Sequence, residues 1–169
     1  MTKDNPFPKN FLWGTATSSY QIEGAPSVDG KGLSVWDTFS HNKKNIKNGE
    51  NGDIACDHFN LWEPDLALLN ELGVNSYRFS ISWPRIFPTG LEKSPNQKGL
   101  DFYSRIIDTL LEYGIIPFIT LNHWDIPQGL EDNGGWTNRM MSDMFVKYSY
   151  YVSKNFGDKV KHWITHIEP

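Results

Sequence analysis

The sequence predicts an α/β fold in which four parallel strands alternate with three helices. Apolar, strand-like segments alternate along the chain with longer segments whose apolar residues recur at helical spacing. Each predicted helix is followed by a glycine and then by the next apolar strand, without a linker or a change in composition. This order favours parallel strands joined by right-handed crossovers, because a helix must carry the chain back to the start of the next strand.

The four predicted strands are short apolar or alternating segments. They span about residues 11–20, 75–83, 115–121 and 160–167. The first is apolar at its start and rich in strand-forming residues, whereas Pro84, Pro88 and Gly90 end the second. Their apolar character predicts a sheet that is covered on both faces.

The three predicted helices lie between these strands. They run from Asp57 or Glu63 to Leu72, from Gln97 to Tyr113, and from Thr137 or Asn138 to Phe156. The start of the first helix is open, because Asp57 is a capping residue but Pro64 favours a first turn nearer Glu63. Gly73, Gly114 and Gly157 then end the three helices.

Two segments are predicted as loops. Residues 24–54 contain five glycines and are read as one long irregular segment with an exposed tip at residues 42–49. Residues 127–135 form the second loop. A loop as long as the first is usually functional or wraps a site.

Two architectures fit this order of elements, an open doubly wound sheet and half of a (β/α)8 barrel. The turn after the first strand lacks the G-x-G-x-x-G pattern of a dinucleotide-binding sheet. Polar and aromatic residues instead follow the carboxyl ends of the strands, where barrel proteins place their sites. They are Gln21, Trp83, Arg85, His123, Trp124 and Glu168. We therefore predict the N-terminal half of a (β/α)8 TIM barrel, as a single partial domain over residues 1–169.

The composition excludes several classes of protein. The chain has 16 lysines and arginines against 20 acidic residues, so no nucleic-acid partner is expected. No apolar run is long enough to span a membrane, and residues 1–10 lack the apolar core of a signal peptide. Cys56 is the single cysteine, which excludes an internal disulfide and a multi-cysteine zinc site and favours a cytoplasmic location. No cofactor is expected.

Four segments together carry a family likeness. They are FLWGTATSSYQIEG (residues 11–24), YRFSISWPRI (77–86), NHWDIPQ (122–128) and WITHIEP (163–169). In these segments the chain closely resembles the N-terminal part of family 1 glycoside hydrolases, the retaining β-glucosidases and their relatives. The resemblance implies a barrel enzyme that hydrolyses β-glucosides or related β-glycosides by double displacement.

The resemblance also implies roles for individual residues. Gln21 and His123 match residues that bind hydroxyls of the sugar in the reacting subsite, and Trp124 matches part of the same wall. Arg78 resembles the arginine that lies near the nucleophilic carboxylate. Glu168 matches the acid/base glutamate, a role that requires burial beside apolar groups that favour its protonated form.

The chain departs from the family pattern beside Glu168. The family motif is Thr-Phe-Asn-Glu-Pro, but His166 replaces the phenylalanine and Ile167 replaces the asparagine. That asparagine contacts the sugar 2-hydroxyl, and its loss is expected to cost about 2–4 kcal/mol of barrier lowering. The nucleophilic glutamate of the family lies in a later Glu-Asn-Gly motif, beyond residue 169. We therefore expect residues 1–169 alone to be inactive.

Two alternatives concern the chemistry of the site. Glu23, Glu63 and Asp125 are other candidates for a second carboxylate, although Glu63 fits a helix start and Asp125 fits a loop cap. Strand alternation predicts that His166 lies on the same face of its strand as Glu168, so that His123, His166 and Glu168 form a conceivable metal cluster. No metal ion is predicted at the site.

A half barrel has consequences for partners. It leaves two unpaired sheet edges and one uncovered face, and such surfaces associate. We expect the chain to self-associate or to require a complementary C-terminal half-barrel. The alternative function is an inactive half-barrel that binds a β-glycoside or monosaccharide weakly or assembles with a complementary chain.

Overall fold

The computed structural model describes residues 6–168 of the chain. Residues 1–5 of the polar N-terminal segment and Pro169, which follows the predicted acid, lie outside the described residues. Four strands form one parallel sheet whose spatial order is the order of the sequence. They are Gly14–Ala16 (β1), Ser76–Ser80 (β2), Ile116–Asn122 (β3) and His162–His166 (β4). A doubly wound sheet would reverse its order at a switch point, so this order is that of a barrel.

The helices divide into long covering helices and short helices in the loops. In chain order they are Ser19–Ile22 (α1), Val35–His41 (α2), His58–Glu71 (α3), Trp83–Ile86 (α4), Gln97–Glu112 (α5), Gln128–Glu131 (α6) and Met140–Phe156 (α7). Helices α3, α5 and α7 are the three predicted covering helices, and each connects two consecutive strands. No helix among the described residues is both long and apolar enough to cross a lipid bilayer.

The core lies between the covering helices and one face of the sheet. Tyr77 and Phe79 of β2 and Ile119 and Leu121 of β3 are buried on this face, because side chains alternate along a strand. Helix α5 contributes a continuous apolar stripe of Leu100, Phe102, Tyr103, Ile106, Ile107 and Leu110. Burial of each such side chain stabilises the fold by about 1.5–3 kcal/mol. This layer holds the strands in register and so fixes where their carboxyl ends lie.

The opposite face of the sheet is only partly covered. The ring of Phe118 on β3 stacks on His162 of β4 at 4.2 Å, and His162 is exposed. Arg78 lies beside Phe118 in register and is half-buried. Among residues 6–168, β1 pairs only with β2 and β4 only with β3, so each outer strand has one edge without a strand partner. The half-barrel prediction is confirmed in this respect.

Three of the predicted strands are shorter than expected. Residues 11–13 lie outside β1, because the Asn75 side chain binds this segment: Asn75 Oδ1 accepts the Trp13 N–H (2.7 Å), and its Nδ2 donates to the Phe11 carbonyl (3.1 Å). The predicted first strand also extended too far, since α1 begins at Ser19. The second ends at Ser80 rather than residue 83, because proline in the first turn favours the start of α4. The fourth covers residues 162–166 rather than 160–167.

The structure fixes the helix starts that the sequence left open. Helix α3 begins at His58 after Asp57, which has a left-handed backbone and no side-chain cap bond. The non-helical backbone of Leu61 interrupts α3 three residues before Pro64, so the proline lies in the second part of a kinked helix. Helix α7 begins at Met140, later than predicted.

Both predicted loops contain helices. Residues 24–54 include α2, which begins with a capping box in which Asp37 N–H donates to Ser34 Oγ (3.1 Å) and Ser34 N–H donates to Asp37 Oδ2 (2.7 Å). The Ser-x-x-Asp spacing is the signal that the sequence analysis missed. Residues 127–135 include α6. The exposed tip at residues 42–49 is confirmed, since all its residues except Ile46 and Gly49 are exposed.

Candidate active site

The predicted site residues lie on or just after the four strands. Gln21 is in α1 after β1, and Arg78 is inside β2. His123 and Trp124 follow β3 directly, and Glu168 lies two residues after β4. Because the strands are parallel and in order, four of these five positions fall at one edge of the sheet.

His123 is the most enclosed of these residues, with 8% of its surface exposed. Burial and the positive charge of Arg78 lower the pKa of His123, and the negative charge of Glu168 opposes them. The imidazole is therefore neutral at neutral pH and has one donor and one acceptor nitrogen. Its Nδ1 atom is buried without a hydrogen-bond partner among the described residues. A hydroxyl group of a ligand is the kind of partner that this ring can bind.

Trp124 presents an aromatic surface beside His123. The two rings meet edge to face at 5.0 Å, and 37% of Trp124 is exposed. Trp124 has a φ of 74°, and Glu168 has a φ of 48°, both in the left-handed region that non-glycine residues rarely adopt. Backbone of this kind costs about 1–3 kcal/mol per residue and clusters at functional sites.

Glu168 and Trp124 line one cavity of about 530 Å³. Its other lining residues are Asn122, Trp136, His166 and Ile167. The Ile167 N–H donates to the Asn122 carbonyl (3.2 Å), so the segment after β4 is held against the end of β3. The Glu168 side chain is exposed, and the apolar enclosure expected around it is not provided by residues 6–168.

Gln21 lies in a neighbouring cavity of about 320 Å³ rather than in the cavity of Glu168. Its side chain is exposed. Trp36 lines the Gln21 cavity and has its ring 6.2 Å from that of Trp124. Trp124 thus lines the Glu168 cavity and contacts His123, whereas Gln21 lines the neighbouring cavity together with Trp36.

Glu23 forms a buried ion pair that the sequence analysis did not predict. Arg85 donates to Glu23 Oε2 through Nε (3.1 Å) and Nη2 (3.0 Å), and the Tyr103 hydroxyl donates to Oε1 (2.5 Å). Burial is the largest single influence and lowers the pKa of Arg85, but the charges of Glu23 and Tyr103 and the hydrogen bonds to them together outweigh it, and the net shift is upward. Both Glu23 oxygens are occupied by these donors, so Glu23 is a structural carboxylate.

Asp125 is also buried, with 1% of its surface exposed, and it does not cap its own loop as predicted. Its Oδ2 accepts a hydrogen bond of 2.6 Å from Ser19 Oγ. Burial raises the pKa of Asp125 to about 7, because little solvent is available to stabilise the charge. Glu63, the third alternative carboxylate, is exposed on α3. Sequence spacing gave no signal for the Ser19 contact, which joins residues 106 positions apart.

His166 does not assemble a metal cluster with His123 and Glu168. Its ring lies 4.5 Å from Phe145 of α7 and 5.1 Å from Trp136, and burial lowers the pKa of His166. Strand alternation does not extend from His166 to Glu168, because β4 ends at His166. Among residues 6–168, no group of three His, Cys, Asp or Glu side chains is placed to hold a metal ion.

The sequence is similar to a known protein family and to individual known proteins over almost its whole length. The model of glycosyl hydrolase family 1 matches residues 3–169. Beta-glucosidase A of Thermotoga maritima is 60% identical over 163 residues, which are 96% of this chain and 36% of that protein. Beta-glucosidase A of Acetivibrio thermocellus is 59% identical, with the same coverage of both chains.

Solved structures give the same result. The beta-glucosidase from Thermotoga maritima in complex with castanospermine superposes with a TM-score of 0.94 at 60% identity. The match covers 96% of this chain and 37% of that structure. The chain therefore spans little more than a third of the length of the relatives that it matches.

Proposed function

Because this chain belongs to glycosyl hydrolase family 1, we propose that it carries the acid/base half of a site that hydrolyses β-glucosides or related β-glycosides. The observation that carries this proposal is the placement of His123, Trp124 and Glu168 around the carboxyl ends of β3 and β4. The reaction is a retaining double displacement.

The mechanism needs two carboxyl groups about 5–5.5 Å apart. Glu168 protonates the glycosidic oxygen as the leaving group departs, and later removes a proton from the water that attacks the glycosyl-enzyme. The second carboxylate attacks the anomeric carbon and forms that intermediate. Among the described residues, Glu23 is paired with Arg85 and Asp125 is buried against Ser19, so neither is available for this attack. The nucleophile has to come from residues other than these.

The environment of Arg78 supports a site in which the second carboxylate comes from other residues. Its Nη1 atom is buried on β2 without a hydrogen-bond partner among residues 6–168. An unpaired buried donor is costly, and a carboxylate supplied by further strands would satisfy it. Gln21 and His123 bind sugar hydroxyls in this proposal, and Trp124 forms the wall beside them.

The two departures from the family motif have different consequences. His166 takes the place of a phenylalanine in an aromatic environment, where its ring packs against Phe145 and Trp136. Ile167 lines the cavity of Glu168 and offers no hydrogen bond to a sugar 2-hydroxyl. The first change preserves packing, whereas the second removes a transition-state interaction.

A second candidate function is an inactive half-barrel that binds sugar weakly or assembles with a complementary chain. The edges of β1 and β4 that lack a strand partner among the described residues favour it. An exposed aromatic cluster of Phe7, Phe11 and Trp13 adds apolar surface below β1, with ring centroids 4.6–4.7 Å apart.

A complementation experiment separates the two candidates. The 169-residue polypeptide is assayed with an aryl β-glucoside, alone and mixed with the part of Thermotoga maritima Beta-glucosidase A that lies outside the matched segment. We expect no turnover alone, turnover in the mixture, and its loss in Glu168→Gln. Turnover by the polypeptide alone, or a mixture unaffected by Glu168→Gln, would contradict the proposal. A stable mixture without turnover favours the second candidate.

A further inference from the structure

A buried polar network lies beneath the candidate site. The Ser19 N–H donates to Ser80 Oγ (2.7 Å), Ser80 Oγ donates to Ser19 Oγ (3.0 Å), and Ser19 Oγ donates to Asp125 Oδ2 (2.6 Å). These three residues are at least nine-tenths buried. The network therefore joins the chain after β1, the end of β2 and the chain after β3 in one set of hydrogen bonds.

The network leads directly to the predicted sugar-binding residues. Ser19 lies two residues before Gln21 in α1, and Asp125 follows Trp124 directly. Within residues 6–168, no side-chain hydrogen bond orients Gln21 or Trp124. The hydrogen bond between Ser19 and Asp125 therefore links the two loops that carry Gln21 and Trp124.

Two polar atoms of this region lack partners. Asp125 Oδ1 and Ser82 Oγ have no hydrogen bond among the described residues, although each residue is 1% exposed. Both residues line the same small cavity of about 10 Å³, together with Glu23, Lys31 and Asp37. The Ser82 hydroxyl lies close enough to lower the pKa of Asp125, yet the pair does not meet hydrogen-bond geometry.

The size and chemistry of the cavity fit one water molecule. A buried water needs about 10–15 Å³ and two to four polar partners. Leaving a buried donor or acceptor unsatisfied costs about 1–3 kcal/mol, so two such atoms on residues that line one cavity favour a bridging water. A metal ion does not fit, because no metal-binding group of three side chains occurs in the described part of the chain.

We propose that this cavity holds one ordered water that bridges Asp125 and Ser82, and that Asp125 is a positioning residue for Gln21 and Trp124. Asp125 touches no sugar in this arrangement. It acts through Ser19 on the α1 side and through the backbone of Trp124 on the β3 side. The positioning of sugar contacts rests on the proposed function, whereas the water does not.

A crystal structure at high resolution tests the water, with the chain crystallised alone or with its complementary strands. We expect one water within about 2.5–3.2 Å of both Asp125 Oδ1 and Ser82 Oγ. Ser82→Ala should lose this water or shift it. An empty cavity, or a direct bond between Asp125 and Ser82, would overturn this part of the proposal.

Glucose titration and NMR test the positioning role. Asp125→Ala should weaken glucose binding about tenfold, and Asp125→Asn should recover most of the loss, since an amide still accepts from Ser19. The indole resonance of Trp124 and the side-chain amide resonance of Gln21 should shift together in Asp125→Ala. Asp101→Asn on the exposed surface of α5 is the matched control and should change neither.

Failure of this inference can be distinguished from failure of the proposed function. If the parent chain binds no glucose, the sugar-binding proposal fails, and the water and the paired resonance shifts still decide the inference. If Asp125→Ala does not fold, Ser82→Ala provides the same test, with an expected loss of about threefold in glucose affinity. Unchanged resonances of Gln21 and Trp124 in a folded variant would overturn the positioning role.

Discussion

The hydroxyl of Ser19 donates a 2.6 Å hydrogen bond to the buried carboxylate of Asp125, so the chain after the first strand is bonded to the chain after the third. The contact spans 106 residues of sequence. It lies directly beneath Trp124, whose exposed ring lines the candidate site. Loops that hold separate ligand contacts are most useful when they keep a fixed distance, and this bond supplies that constraint.

Asp125 makes the stability of the chain depend on pH. Its pKa is about 7 in the folded chain and 3.8 in its ordinary state, so the folded chain keeps a proton that the unfolded chain loses. The free energy of unfolding should therefore fall by roughly 4 kcal/mol as pH rises from about 4 to 7, at about 1.4 kcal/mol per pKa unit. Asp125→Asn should remove this contribution.

Denaturant unfolding across this pH range measures the effect as a difference between the parent chain and Asp125→Asn. The difference between the two chains is needed because the titration of His123 and His166 changes the free energy of unfolding in the opposite direction. The pKa values of both histidines are lowered, so their contribution to stability is lost as pH falls below about 6.5. Parallel pH profiles for the two chains would contradict the prediction.

The buried Glu23–Arg85 pair should be sensitive to removal of one partner. Arg85→Leu leaves Glu23 buried without its charged partner, and we expect a loss of about 3–5 kcal/mol in the free energy of unfolding. Lys98→Ala is the matched control, because Lys98 and Asp29 form an exposed pair worth less than about 1 kcal/mol. Equal losses in the two variants, measured by urea titration, would show that the Glu23–Arg85 pair has no special role.

Ile167→Asn should increase the activity of the mixture with the complementary part of the barrel. It returns a hydrogen-bond donor to the wall of the Glu168 cavity, where Ile167 now presents only hydrocarbon. A gain of about 2–4 kcal/mol in transition-state stabilisation corresponds to a rate increase of about thirtyfold to a thousandfold. The rate should rise mainly in kcat. Ile167→Gln tests whether the polar group alone suffices, and an unchanged kcat in Ile167→Asn would refute the expectation.

The open face of the sheet should drive association of the isolated chain. Ile164 lies on the face opposite the core, since it alternates with Trp163, which packs against the core. Ile164→Lys should increase the monomer fraction in sedimentation velocity at micromolar concentration. Val146→Lys, on the 66% exposed outer side of α7, should not. A parent chain that is monomeric at every concentration would contradict this prediction.

The local pattern of the sequence determined much of the fold. Helix α5 was predicted within one residue at its C-terminal end, because its apolar stripe is strong and Gly114 adopts the left-handed backbone that ends such a helix. The family was also readable from contiguous motifs, and the match over residues 3–169 confirms it. Helix α2 was missed although its Ser-x-x-Asp capping box is a local signal.

Only the tertiary structure decided which carboxylates are free to act. Glu23, Asp125 and Glu168 all follow predicted strands, but Arg85 pairs with the first, Ser19 binds the second, and the third is exposed beside Trp124. The helical and strand patterns of a sequence relate residues that are a few positions apart, whereas Arg85 is 62 positions from Glu23 and Ser19 is 106 positions from Asp125. Protonation and availability depend on burial and on such distant partners, so they arise only when the sheet brings its strands together.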